Sequence, residues 1–163
     1  MKQDKFNKKI WPMADKLFRL ALSITGNRQD AEDVLQDTLF KVWKKHEEWK
    51  AIDNLEAYCY RSARNIALDK LALKENQQEA WDEDYDLPEI KSNAQEQLEE
   101  EEQRLRLEEA IRRLPEKQRT VFQLREVEEL TYKQIAESLN ISEEQVKINL
   151  FRARQKLRTF LEE

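Results

Sequence analysis

The stretch Thr131-Tyr132-Lys133-Gln134-Ile135-Ala136-Glu137-Ser138-Leu139-Asn140-Ile141-Ser142-Glu143-Glu144-Gln145 decides how this chain folds. Thr131 to Gln134 and Ser142 to Gln145 both have the S/T-x-x-E/Q form of a capping box. In that motif a hydroxyl accepts the amide three residues on, and the amide or acid side chain there reaches back to the cap. Two helix starts therefore lie eleven residues apart. Between them Ala136 and Leu139 are spaced for the inner face of the first helix, Asn140 tolerates a left-handed turn, and Ile141 can plug the core. The spacing predicts a helix-turn-helix.

On the second helix of this pair Val146, Leu150, Ala153 and Leu157 fall on one stripe, which must face the core. The opposite face then presents Glu144, Lys147, Ile148, Phe151, Arg152 and Gln155. Cations there can hold phosphates or guanine edges, and apolar groups can meet thymine methyls. A merely solvated face would also carry charge, but has little use for both Ile148 and Phe151.

Upstream of the pair, Leu114-Pro115 ends one helix and starts another, predicted over residues 115–127. A polar helix before it begins around Ala94. From Asn76 to about Ser92 periodicity fails, with Asp82, Glu83, Asp84, Asp86 and Pro88 in a stretch too acidic to fold alone. This acidic linker is either a flexible spacer or a mimic of a polyanion.

Three helices are predicted before the linker. Ile10, Leu17, Leu20, Ala21 and Ile24 recur at helical spacing until Gly26 stops the run. Asn27 caps a second helix with the apolar stripe Ala31, Val34, Leu35, Thr38, Leu39, Val42 and Trp43. His46 to Asp53 breaks the pattern. Asn54 then caps a third helix, whose inward side is Leu55, Tyr58, Cys59, Ser62, Ala63, Ile66, Ala67 and Leu71. The expected fold is all-α, with two small helical domains, residues 1–75 and 104–163, joined by an acidic linker at 76–103 that runs into a helix. The second domain contains the helix-turn-helix.

The formal net charge of −5 would argue against a nucleic-acid partner if it were evenly spread. It is segregated instead: +3 over residues 1–75, −10 over 76–103 and +2 over 104–163. One cysteine, Cys59, and one histidine, His46, give neither an internal disulfide nor a clustered metal site, and a single glycine, Gly26, gives no phosphate loop. No cofactor, metal or catalytic set is expected. The opening Met1-Lys2-Gln3-Asp4-Lys5, followed by Lys16 and Arg19, interrupts any apolar run, so a soluble cytoplasmic protein is expected.

Taken together, these residues resemble the extracytoplasmic-function sigma factors of the sigma-70 family. Leu17-Phe18-Arg19-Leu20-Ala21 through Asp30-Ala31-Glu32-Asp33-Val34-Leu35-Gln36-Asp37-Thr38-Leu39-Phe40 looks like that family's core-polymerase-binding segment. The resemblance implies that Asp33, Gln36, Asp37 and Lys41 meet RNA polymerase. Asn54 through Asp69 resembles the helix that reads and opens the downstream (−10) promoter element, and Lys50 to Asp53 the loop that captures a flipped base. For that element it implies Lys50, Asp53, Asn54, Arg61, Arg64 and Asn65. Leu114-Pro115-Glu116-Lys117-Gln118-Arg119 and the helix-turn-helix are similar to the domain that reads the upstream (−35) element, with Lys147, Ile148, Phe151, Arg152 and Gln155 as readers. Asn140 stands where the family usually has glycine, and Ile148-Asn149 replaces a commoner serine-arginine pair. The partners implied are core RNA polymerase and promoter DNA, with an anti-sigma factor as a further candidate. The rival readings are a homodimeric helix-turn-helix repressor, which leaves residues 1–75 unexplained, and a helical adaptor that binds only proteins.

Overall fold

The computed structural model describes residues 2–76 and 95–163, and every regular element among them is helical. A short α1 (Lys2–Lys5) runs through π and 3-10 turns, Phe6–Ile10 and Trp11–Met13, into α2 (Ala14–Thr25). Gly26 closes α2 at φ 70°, a conformation that costs glycine little. The Asn27 side chain accepts the Asp30 amide at 3.0 Å and starts α3 (Arg28–Lys44). A 3-10 segment, His46–Ala51, buries Trp49, whose indole N–H donates to the Val42 carbonyl at 3.0 Å. Asn54 accepts the Ala57 amide at 3.0 Å and opens α4 (Leu55–Asn76).

The acidic stretch 77–94 lies outside the described residues, and with it the choice between spacer and polyanion mimic. The chain resumes in α5 (Gln95–Arg112). Pro115 occupies the N-cap of α6 (Glu116–Phe122), one position earlier than the first-turn site its ring would also suit. The helix then loosens into a π turn, Gln123–Val127. Both capping boxes are formed: Thr131 with Gln134 starts α7 (Tyr132–Leu139), and Ser142 with Gln145 starts α8 (Glu143–Leu161). Asn140 takes the left-handed turn at φ 56°, as expected, but so does Glu129 at φ 58°, which no residue type announces.

The apolar interior is continuous between the two halves. Leu17, Leu20, Val34 and Ala63 belong to one buried cluster with Leu124, Ile135, Val146 and Leu150, and a smaller cluster holds Ala110, Leu114, Ala153 and Leu157. The stripes expected on α2, α3 and α8 are buried, with one correction. Trp43 is 37% exposed, standing edge-on to Phe6 at 5.5 Å and stacked on His46 at 4.9 Å as the rim of an aromatic group. On α4 burial goes further than expected. Tyr60, off the predicted inward side, is fully buried because α7 packs on α4 from the second half.

Candidate polymerase and promoter surfaces

On α8 the subtraction of core from surface holds residue by residue. Val146, Leu150, Ala153 and Leu157 are buried, while Lys147, Ile148, Phe151, Arg152 and Gln155 are all exposed. Phe151 is 66% exposed, a large apolar cost that a solvated helix face does not need. Lys147 keeps its ammonium 5.7 Å from the Tyr132 ring centroid, so α7 supports its stem.

On α3 the face opposite the core carries Asp33, Gln36 and Asp37 in solvent, with Lys41 half-buried beside them. Asp33 lies 3.4 Å from the Lys70 ammonium of α4, an exposed pair of small energetic weight. Phe40 also belongs to this face and is 60% exposed, with the Lys44 ammonium 4.6 Å from its ring centroid. It was legible as a leftover, since it falls outside the stripe from Ala31 to Trp43.

The residues expected to serve the downstream element are not in one state. Lys50, Asp53 and Asn65 are exposed. Asn54, Arg61 and Arg64 are half-buried against the second half of the chain. The Arg64 guanidinium grips Glu116 through two bonds, 2.9 and 3.0 Å, and the Thr120 hydroxyl donates to the same carboxylate at 2.8 Å. The Asn54 amide donates to the Glu137 carboxylate, and Arg61 donates to the Glu137 backbone carbonyl. A cleft of about 620 Å³ runs between the halves here, lined by Asp53, Asn54, Tyr58, Arg61, Glu137 and Asn140.

A fourth contact lies beside these. Arg19 of α2 donates to both oxygens of Glu128, at 2.6 and 3.0 Å, and the Glu128 side chain is only 1% exposed. That hydrogen bond holds the Arg19 guanidinium above its usual pKa. Tyr60 also titrates above its ordinary range, first through burial and then through the Glu128 charge. Burial pushes the Cys59 thiol up to about 12, so it is packed and unreactive. Among the described residues no group of three or more His, Cys, Asp or Glu could hold a metal, and no helix is long and apolar enough to cross a membrane.

Two family models match the chain: sigma-70 region 2 over residues 13–76, and sigma-70 region 4 over residues 104–157. That order defines a two-part sigma-70-type chain. The ECF RNA polymerase sigma-E factor of Haemophilus influenzae is 30% identical over 139 residues, covering 79% of this chain and 73% of the relative. SigW of Bacillus subtilis is 27% identical, covering 96% and 88%. SigE of Mycolicibacterium smegmatis is 30% identical over 91% of this chain, which spans 58% of that longer relative. The chain belongs to the extracytoplasmic-function family of RNA polymerase sigma factors, proteins that are not enzymes.

Solved structures share the fold. The sigma factor RpoE of Bartonella quintana, in complex with the anti-sigma factor NepR, superposes with a TM-score of 0.75 at 21% identity, covering 96% of both chains. CnrH in complex with the cytosolic domain of CnrY gives 0.71 at 21% identity, covering 98% and 89%. A homodimeric repressor finds no support in these relatives and leaves the region 2 match without a purpose.

Proposed function

We propose that this chain directs core RNA polymerase to promoters by binding alone, with no catalytic step of its own. The outer face of α3, with Asp33, Gln36, Asp37 and Lys41, meets the polymerase. The outward face of α8, with Lys147, Ile148, Phe151, Arg152 and Gln155, reads the upstream element in duplex DNA. The segment from Lys50 to Asn65, through Lys50, Asp53, Asn54, Arg61, Arg64 and Asn65, reads the downstream element and holds its unstacked bases. Phosphodiester chemistry belongs to the polymerase, and the cytoplasm, where polymerase and promoters meet, is the place of action.

The observation that carries this reading is the exposure of Ile148, Phe151 and Arg152 on a helix whose other face is wholly buried. An outward mixture of apolar and cationic groups suits base edges and phosphates better than it suits water. Complexes with anti-sigma proteins among its structural neighbours make such a protein a candidate partner here. The test is transcription in vitro with purified core polymerase on a library of genomic fragments. Selective initiation that depends on this chain is expected. Tight operator binding by the chain alone, with no polymerase-dependent initiation, overturns the reading.

A further inference from the structure

The glutamates of the second half occupy the very side chains that the downstream promoter strand would need. We propose that the free chain is self-closed, with Glu116, Glu128 and Glu137 standing in for DNA phosphates against Arg64, Arg19 and Asn54, so that downstream DNA and this closure exclude one another. The proposal rests on the assignment of Asn54, Arg61 and Arg64 to the downstream element. It adds a competitor for them that is built into the same chain.

Three observations carry it. The contacts are anionic on one side and donor-rich on the other: two bidentate guanidinium–carboxylate pairs and one amide–carboxylate bond, each joining residues at least 52 positions apart. Bidentate Arg–carboxylate geometry is also how arginine holds a phosphate, so one guanidinium cannot serve both at once. The masking is selective as well. It covers half of the downstream set and leaves the α8 face and the α3 face in solvent. Finally, the closed arrangement is imperfectly satisfied. Arg61 Nε and the hydroxyls of Tyr58 and Tyr60 are buried with no hydrogen-bond partner, which weakens closure and makes it reversible.

Glu128 is the member most committed to closure, because its buried carboxylate loses water and gains only Arg19. Removing Arg19 leaves that charge uncompensated and drives the halves apart. This role falls to folded helices, whatever the acidic linker does.

The test uses the full chain without polymerase, so failure here leaves the sigma-factor reading to its own transcription assay. Spin labels are placed on cysteines at Glu32 and Lys156, both exposed, while the buried native Cys59 stays unlabelled. A narrow separation is expected in the parent. It should broaden when Glu116→Gln, Glu128→Gln and Glu137→Gln are combined, and equally with Arg19→Ala alone. Affinity for a fluorescein-labelled single-stranded DNA of mixed sequence should rise about tenfold in the triple variant, since a masked site binds in proportion to its open fraction. That gain should vanish when Arg61→Ala and Arg64→Ala are added. A control with Glu102→Gln, Glu143→Gln and Glu162→Gln removes the same charge from exposed positions, and should match the parent in separation and gain far less affinity. An unchanged separation in both opening variants overturns the proposal, as does a control that gains as much affinity as the triple variant.

Discussion

On α8 every residue expected to read the upstream element lies in solvent, whereas on the segment from Lys50 to Asn65 three of six downstream readers are engaged by the other half of the chain. The difference has a simple physical origin. Helix α8 buries one stripe and shows water the rest, so a single hydrophobic period fixes both its faces. Helix α4 is packed on two sides: Cys59 and Ala63 are turned into the core with α2 and α3, and Tyr60 is covered where α7 docks. A helix buried twice keeps its polar groups only where a partner meets them. The lesson is that an outward arginine on such a helix can be a reader in one state and a strut in another.

The sharpest way to break the contrast is to exchange the faces of α8. Leu150→Ala should destabilise the fold by about 2–5 kcal/mol, whereas Phe151→Ala, one residue on, should cost about 0.5 kcal/mol or less and instead blunt recognition of the upstream element. Chemical denaturation with parallel transcription assays separates the two. If Phe151→Ala melts the second half while Leu150→Ala leaves it folded but blind to the upstream element, the faces are inverted.

Next in size is the split within the open surface. Arg152→Ala should cost about 1–3 kcal/mol at one or two upstream base pairs, while Lys147→Ala should weaken all promoters alike and reduce the salt slope by about one. Holoenzyme binding to templates varied only upstream, measured against salt, distinguishes base reading from phosphate holding.

The third prediction concerns the surface that closure leaves free. Asp33→Arg combined with Asp37→Arg should weaken polymerase binding by about tenfold with helicity unchanged, as expected when repulsion replaces a complementary contact at an exposed rim. Co-purification with core polymerase measures it. Undiminished binding removes both residues from the interface.

The smallest effect is a pH dependence of stability from α4. Cys59 and Tyr60 both titrate higher in the folded chain than in the unfolded one, through desolvation first. Both are therefore more protonated when folded, so their contribution is fully present below the unfolded thiol value near 9 and is lost as pH rises from there towards about 12. Thermal unfolding should show a declining midpoint only above about pH 9, and Cys59→Ala should flatten the early part of that decline.

Much of this architecture could be read from residues close together in the chain. Gly26, Asn27, Asn54 and the two capping boxes each act within one helical turn, and each sits where local chemistry requires. The core stripe of α8 was legible for the same reason. What escaped was long-range and polar. Glu116, Glu128 and Glu137 look like solvated helix-surface acids in sequence, since no periodicity links them to arginines 52 and 109 residues away. Glu129 hides its left-handed turn behind a residue type that avoids it. Trp43 shows the converse error, because a stripe says which side is inner but not how far up the rim a large ring stands.

The π turn at Gln123–Val127 bears on what changes of length this chain could accept. A π turn is a helix that has absorbed one residue more than its regular ladder holds. Deleting a single residue there would restore the regular ladder and swing all that follows by about 100° about the axis. Glu128 would then point away from Arg19, while α7 and α8 could still form with their own caps. Insertions or deletions at that site thus separate the inventory of helices, which would survive, from the angular phase that aligns one half with the other.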